Sequence, residues 1–518
     1  MHTLLAYTTP ISDKQQKGSF ESLLPIGLCS LHALLRSHGL PVTLANLSGL
    51  SPKGVVKLLQ HTRPTLVGLS QWTHNRHATL ELARLTKQIL PDCTILLGGG
   101  HATHQAELIL QHHPEVDLIA TGEAEETLLE LVKALQNHHP VHTIPGLVVR
   151  KNGTPHRTQP RLPISELDSL PFPYRWLDEA LHTDQTLQAE FISSSRGCPA
   201  ACSFCASPAF WGRRVRARSA TSVADEICFI RDHFGLIYLS LRDDTFTADR
   251  RRTVALCQEL IERRINVFWN CQSRVEAVDH ETLNWMRRAG CECVQIGVES
   301  GSLDILRRLG KQTTPEKIVQ AAGLIRQAGM QLSIYLITGI PEETETDKQQ
   351  TINLIKRVRP DDLQVAPLAY YPGTALFESA LKKGQVLPDL FETSRNQALL
   401  AQCDGQKQVD RLLARTSRYR QNCSIEQLLA VQKNQGYSAV SAMQTGDSYV
   451  AAGDLHRAEN QYRVMTSNEP DHPWGWYLLG ELNEHNGRTK EAANCYQSVL
   501  KLIPRHRPST EALKRLRH

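Results

Sequence analysis

Three cysteines lie close together in the stretch SSSRGCPAACSFCAS, residues 193–207. Cys198, Cys202 and Cys205 have the spacing C-x3-C-x2-C. Thirteen cysteines among 518 residues are too sparse for a disulfide scaffold, which is usually a short secreted chain. A tight group of thiols in such a chain indicates a metal centre or a catalytic site.

Two kinds of metal centre are compatible with these thiols. A structural zinc site needs four ligands, and Cys291 and Cys293 are the only other close pair, with an unusual C-x-C spacing. An iron–sulfur cubane has four irons, whose usual ligands are thiolates. Three thiolates leave one iron open, and an open coordination position distinguishes catalytic from structural metal sites. The spacing favours the cluster, with zinc as the alternative.

The elements before the cysteines alternate between buried strands and amphipathic helices. Over residues 1–150, runs such as PTLVGLS and CTILLGGG read as strands, and 77–90 reads as a helix. This alternation predicts an α/β fold with a doubly wound parallel sheet. Ligands of such sheets bind beyond the carboxyl ends of the strands. The candidate binding residues at those ends are Trp72, Gly98, Gly99, Gly100, Gly122 and Glu123.

The rest of the chain divides into four parts. Residues 151–187 are rich in proline and read as an extended linker. Residues 188–390 contain six strand–helix units, which predict a partial (β/α)6 TIM barrel. A helical connector is expected at 391–438.

The last part, 439–506, is predicted to be all helical and repeats itself. Gly446 and Gly480 are 34 residues apart, as are Tyr462 and Tyr496. This period resembles tetratricopeptide (TPR) repeats. Two repeats rarely stand alone, so we expect them to pack on neighbouring helices or on the barrel.

Composition restricts the function classes. The formal net charge is only +5, so charge gives no reason to expect nucleic-acid binding. No run of about 18 apolar residues predicts a membrane span. The first residues, MHTLLAYTTPISDKQQ, do not resemble a signal peptide, which places the protein in the cytoplasm with reduced thiols.

The cysteine motif, with Phe204 before its last thiol and a strand before it, resembles the radical S-adenosylmethionine (SAM) superfamily. The resemblance implies a [4Fe-4S] cluster held by Cys198, Cys202 and Cys205, with SAM on the fourth iron. It also implies that the SAM-binding groups follow successive strands. Asp243 and Asp244 are candidates for the amino group, although the usual Gly-Gly-Glu is absent, Arg274 for the carboxylate, Glu299 for the ribose and Gly339 for the adenine.

An α/β domain before such a barrel resembles the cobalamin-binding class of that superfamily, whose first domain is Rossmann-like. The resemblance implies cobalamin beside Trp72 and the glycines at 98–100 and 122. The motif D-x-H-x-x-G is absent from this domain, so the lower face of cobalt needs another cover. His74 and His77 are possible ligands, although a structural role is favoured for both.

The resemblance implies an enzyme that cleaves SAM and methylates an unactivated carbon. The alternatives are an oxidative cyclase or rearrangement enzyme of the same architecture, and a corrinoid-sensing binding protein. The expected partners are a small-molecule, peptide or carrier-bound substrate and an electron donor such as flavodoxin or ferredoxin. The repeats suggest a protein partner or a structural cap on the barrel.

Overall fold

The computed structural model describes residues 1–9, 23–420 and 423–517. The chain forms two compact units, and each contains more than one segment. The first comprises 1–188, 197–216 and 369–400, and the second comprises 189–196, 217–368 and 401–518.

The first unit is built on a seven-stranded sheet with the order β2-β1-β3-β4-β5-β6-β7. The first five strands are parallel, and β6 and β7 are antiparallel. The neighbours Leu4 and Leu5 point to opposite faces and both are buried, so helices cover both faces. The strands are β1 (Thr3–Tyr7), β2 (Val42–Asn46), β3 (Leu66–Ser70), β4 (Thr94–Gly98), β5 (Leu118–Ala120), β6 (Leu147–Lys151) and β7 (Thr154–Arg157).

A helix follows each of the five parallel strands of this unit, and the predicted doubly wound fold is confirmed. The helices of this unit are α1 (Ile26–Ser37), α2 (Pro52–Thr62), α3 (Arg76–Ile89), α4 (Gly100–His104), α5 (Ala106–His112), α6 (Glu125–Gln136), α7 (Gln185–Ala189, whose last residue belongs to the second unit), α8 (Ser207–Trp211) and α15 (Ala375–Lys382).

The second unit contains a six-stranded parallel sheet whose strands neighbour one another in chain order, as expected for a part-barrel. Its strands are β8 (Phe191–Ile192), β11 (Tyr238–Leu241), β12 (Phe268–Ser273), β13 (Cys291–Glu299), β14 (Gln331–Thr338) and β15 (Asp362–Pro367). Two short strands, β9 (Ser195–Arg196) and β10 (Arg216–Ala217), lie between β8 and β11 in the chain. The helices between the strands are α9 (Ala220–Phe234), α10 (Arg250–Glu262), α11 (His280–Arg288), α12 (Leu303–Arg308), α13 (Pro315–Gln327) and α14 (Glu345–Val358).

Two predicted boundaries differ from the structure. Strand β7 lies within the predicted linker at 151–187 and extends the first sheet, because its backbone pairs with β6. The barrel was expected to reach residue 390, but its last strand ends at Pro367 and residues 369–400 belong to the first unit. The predicted connector at 391–438 is therefore divided between the units.

The C-terminal helices repeat with the predicted period. They are α16 (Gly405–Thr416), α17 (Ile425–Gln435), α18 (Ala439–Ala451), α19 (Leu455–Asn468), α20 (Pro473–His485), α21 (Thr489–Leu502) and α22 (Arg507–Arg515). The starts of α18 and α20 are 34 residues apart, as are those of α19 and α21. A Cβ at Gly446 would lie 2.3 Å from the Tyr462 ring, and one at Gly480 would lie 2.6 Å from the Tyr496 ring. Each glycine thus lets its helix approach an aromatic ring closely.

These helices cover the amino ends of the barrel strands. The Trp474 indole donates a hydrogen bond to the Ile237 carbonyl over 2.8 Å, and its ring lies 5.3 Å from that of Phe268. Phe268 shares a hydrophobic cluster with α18, α19 and α20. The expectation that the repeats pack on the barrel therefore holds, although their assignment to the TPR family stays a prediction.

Candidate active site

The cysteine loop is held in place by backbone contacts within the first unit. Gly197 has φ +99°, and a Cβ there would lie 2.4 Å from the Arg214 carbonyl oxygen, so only glycine fits. The Leu376 amide donates to the Ser203 carbonyl over 2.7 Å. Segment 369–400 therefore supports the loop from the side.

The three thiols differ in exposure. Cys198 is buried, whereas Cys202 and Cys205 are partly exposed, and none forms a disulfide. Phe204, between the last two, is also partly exposed. In the described ranges, no three His, Cys, Asp or Glu side chains form a group that could hold one metal ion. Three reduced thiols on one short loop are the donor set of an iron–sulfur cluster, so the residues fit that group.

A buried ion pair joins β10, which follows the cysteines and α8 in the chain, to the loop after β5 of the first sheet. Glu123, after β5, pairs with Arg216, which also donates to the Ile164 carbonyl over 2.6 Å. Both side chains are less than a tenth exposed. The structure thus gives Glu123 a protein partner, and its contact with a cofactor stays a prediction.

Trp72 and Phe210 form an aromatic contact beside the cysteines. Trp72 follows β3, and Phe210 lies on α8, directly after the cysteine loop in the chain. Their ring centroids are 6.4 Å apart, and 38% of Trp72 is exposed. Phe210 in turn packs edge-on against Trp211 at 4.6 Å. An exposed aromatic surface of this kind suits the flat face of a corrin.

The glycines expected at the cofactor have different surroundings. A Cβ at Gly99 would lie 2.7 Å from the Gln71 carbonyl oxygen, and one at Gly100 would lie 3.2 Å from the Trp72 ring. These two glycines make room for the loop that carries Trp72. The nearest atom to a Cβ at Gly98 would be 3.8 Å away, which is an ordinary contact. Gly122 has φ +68°, and no heavy atom lies within 4 Å of the place where a Cβ would be.

The two histidines near Trp72 have protein partners. His74 Nε2 lies 2.8 Å from the Tyr7 hydroxyl, and His77 Nε2 lies 2.6 Å from the Thr393 carbonyl oxygen. Both contacts favour the structural role over cobalt ligation.

The loop that carries Trp72 is anchored by a residue that the sequence did not indicate. Arg76 is only 1% exposed and donates to the carbonyl oxygens of Thr73 over 2.6 Å and Phe391 over 2.8 Å. It also donates to the Asn396 side chain and the Thr393 carbonyl. Burial lowers the pKa of its guanidinium to about 10.

In the second unit, Asp243 and Asp244 have opposite environments. Asp243 is 1% exposed and accepts hydrogen bonds from the Ser194 and Ser195 amides at 2.6 and 3.0 Å. Its second oxygen accepts from the Ser194 hydroxyl. Asp244 is exposed. The carboxylate of Asp243 is therefore occupied by backbone, and Asp244 is the better placed of the two for a ligand.

Two further SAM candidates form ion pairs. Arg274 follows β12, and its Nε lies 3.5 Å from Oε2 of Glu276. Its side chain remains partly exposed. Glu299, at the end of β13, has φ +65° and pairs with the buried Lys311 at 2.9 Å. Lys311 also donates to the Gly297 carbonyl over 2.8 Å. Lys311 belongs to no sequence motif, because it is a lone lysine after a helix.

Gly339 follows β14 with φ +71°, and a Cβ there would approach the Gly405 backbone at 3.3 Å. The nearby Glu343 has one buried oxygen with no hydrogen-bond partner among the described residues. Burial raises its pKa to about 7. This loop therefore carries a carboxyl group that titrates near neutrality.

Comparison with known proteins identifies two domains. Residues 192–355 match the model of the radical SAM superfamily, and residues 21–132 match that of the B12 binding domain. The chain thus contains a radical SAM domain and a B12-binding domain. The predicted cofactors, a [4Fe-4S] cluster, SAM and cobalamin, are those of these two domains.

Several known proteins are similar to this chain over about three quarters of its length. An uncharacterized methyltransferase of Pyrococcus horikoshii is 29% identical over 365 residues, covering 70% of this chain and 80% of its own. An anaerobic magnesium-protoporphyrin IX monomethyl ester cyclase of Synechocystis is 26% identical over 388 residues, covering 74% and 78%. The structure of the radical SAM methyltransferase TsrM from Kitasatospora setae superposes with a TM-score of 0.63 at 17% identity, covering 74% of this chain and 75% of that one.

In the residues that the structure describes, every helix is too short or too polar to cross a bilayer.

Proposed function

We propose that this protein is a cobalamin-dependent radical SAM enzyme that methylates an unactivated carbon of its substrate. The observation that carries the proposal is the aromatic contact between Trp72 and Phe210. Their ring centroids are 6.4 Å apart, and both residues belong to the first compact unit. It brings the candidate corrin surface beside the helix that follows the three cysteines.

The residues of this chain bind and position the reacting groups. Cys198, Cys202 and Cys205 hold the cluster, and the exposed side of Trp72 receives the corrin. Arg274 and Asp244 bind the charged end of SAM, and Glu299 and Gly339 bind its nucleoside. When bound, these groups supply a carbon-centred radical and a transferable methyl group. Such chemistry suits a C–H bond without usable acidity.

The relatives support methyl transfer. The Pyrococcus protein and TsrM are both named methyltransferases. The test is anaerobic incubation with methyl-labelled SAM, cobalamin and a reductant, followed by mass spectrometry of candidate substrates. A gain of one labelled methyl group supports the proposal, and turnover of SAM without any labelled product contradicts it.

The cysteine motif has its own test. Cys→Ala at 198, 202 or 205 should lower the iron content and abolish SAM cleavage, whereas corrin absorbance of the loaded protein should persist. Cys403→Ala is the matched control, because that thiol is exposed and lies outside the loop. Full SAM cleavage in any of the three variants would contradict the assignment.

A cyclase or rearrangement reaction is the second candidate. Its support is the Synechocystis cyclase, which covers more of this chain than the Pyrococcus methyltransferase does. A product whose mass falls or stays constant, without label from SAM, would favour this candidate.

We also propose a cytoplasmic location and a flavodoxin or ferredoxin as electron donor, since cluster reduction requires an external electron. For the repeats, we propose a structural cap in preference to a protein-binding role, because the Trp474 side of the repeats covers the barrel.

A further inference from the structure

The inward-facing side chains of the barrel are polar, which is unusual. Packed barrels fill their interior with bulky branched apolar residues. Here, strand pairing places Ser240 beside Asn270, and Gln272 beside Gln295. The alternate residues Leu241, Cys271 and Val294 are fully buried and point outward to the helices.

These polar side chains form one hydrogen-bonded network. Tyr335 donates to the Gln295 side-chain oxygen over 2.7 Å, and Arg242 donates to the same oxygen over 3.2 Å. Below them, Ser240 donates to Asn270 over 2.7 Å. Arg242, Gln272, Gln295 and Tyr335 are all partly exposed, so the upper part of the interior is open to solvent.

Arg242 is the cation of this interior. In the part of the chain that the structure describes, the one hydrogen bond of its guanidinium goes to Gln295, and no carboxylate lies within ion-pair distance. The Phe191 ring lies 5.2 Å from its guanidinium carbon. Glu190 interacts with it only at longer range. A partly buried guanidinium with unused donors is suited to a planar oxoanion.

We propose that the barrel interior is a substrate pocket in which Arg242 binds an anionic oxygen group, a carboxylate or a phosphate. Gln295 and Tyr335 hold the guanidinium in position, and Gln272 extends the polar wall. This inference rests on the proposed function, because it assigns the substrate of the same barrel. The substrate class is therefore a small anionic molecule, or a larger one that inserts an anionic end.

The test is calorimetric titration of the cofactor-loaded protein, under anaerobic conditions, with phenylacetate, phenyl phosphate and the neutral phenylacetamide. We expect at least one anion to bind roughly tenfold or more tightly than the amide, since the amide lacks the charge-assisted bond. The preferred anion distinguishes a carboxylate from a phosphate substrate. Equal affinities for all three probes, or no binding by either anion, would overturn the proposal.

Variants locate the binding group. Arg242→Met and Arg242→Gln should lose the preference for the anion, and Arg242→Lys should retain part of it. Arg264→Met is the matched control, because that side chain is 79% exposed, and it should bind like the unmodified protein. Iron content and SAM cleavage without substrate are measured on the same samples. If the unmodified protein binds the anion but does not cleave SAM, the proposed function alone is contradicted. If Arg242→Met keeps the preference for the anion, this inference alone is contradicted.

Discussion

The buried carboxylate of Asp243 accepts a 2.6 Å hydrogen bond from the amide of Ser194, a residue close before the cysteine loop in the chain. The Ser195 amide and the Ser194 hydroxyl use the same carboxylate. Arg252 donates to the Ser194 carbonyl over 2.9 Å and lies 3.9 Å from Asp243. Asp243 therefore fixes the backbone between β8 and the cysteines.

Replacement of Asp243 by Ala should impair cluster assembly. The substitution leaves two buried backbone amides without an acceptor, at a cost of about 1–3 kcal/mol each. We expect a lower iron content after anaerobic reconstitution, measured per protein chain. Asp244→Ala should keep the full iron content and weaken SAM binding instead, because Asp244 is exposed. The reverse pattern would show that Asp243 is the SAM ligand.

The two neighbouring aspartates, Asp243 and Asp244, show what the sequence could and could not predict. The order of motifs along the strands predicted the barrel, the cysteine site and an aspartate after β11. The choice between the two aspartates depends on Ser194, a residue far away in the chain that offers its amide only after the strands have paired. The Glu123–Arg216 pair is equally hidden, because its partners are distant in sequence.

The end of the barrel was also hidden in the sequence. The periodicity of α15 marks an amphipathic helix but not the unit against which its apolar face packs. Only the folded chain places residues 369–400 with the first sheet, through Arg76 and the Ser203 carbonyl.

Lys311→Met should destabilise the barrel strongly. It leaves the Glu299 carboxylate buried without its partner, and breaking a buried pair costs about 3–5 kcal/mol. The free energy of unfolding in urea measures this loss. Lys348→Met is the matched control, because its partner Glu345 is exposed and such pairs contribute about 1 kcal/mol or less. A loss of similar size in both variants would contradict the role given to Lys311. The double variant Lys311→Met with Glu299→Gln should recover part of the stability and still bind SAM less tightly.

Arg76→Met should loosen the loop that carries Trp72. The guanidinium bridges carbonyl groups of that loop and of segment 391–396, so its loss leaves several acceptors unsatisfied, with an expected cost of about 2–4 kcal/mol. Corrin affinity, measured by absorbance titration, should fall together with stability. Arg84→Met on the same helix is the control, since its side chain is 56% exposed, and the expected change is about 0.5 kcal/mol or less. If Arg76→Met binds corrin as tightly as the unmodified protein does, Arg76 does not support the corrin-binding surface and the prediction is contradicted.

The last prediction concerns the amino end of the barrel and its dependence on pH. Glu292 is buried there and accepts a 2.6 Å hydrogen bond from Tyr238. Burial raises the pKa of its carboxyl from 4.5 to about 7. Because the folded state holds this proton more tightly than the unfolded state does, the resulting stability is fully present below pH 4.5 and is lost as pH rises through 7.

Glu292→Gln removes this titration and keeps an oxygen that can accept from Tyr238. Between pH 5.5 and 7.5, the unmodified protein should therefore lose about 2 kcal/mol of unfolding free energy relative to the variant. Urea denaturation at several pH values measures the difference, and parallel curves would contradict the prediction. The hydrogen bond from Tyr238 favours the ionised carboxylate and lowers its pKa. In Tyr238→Phe the pKa of Glu292 should therefore rise further, and the loss of stability should move to higher pH.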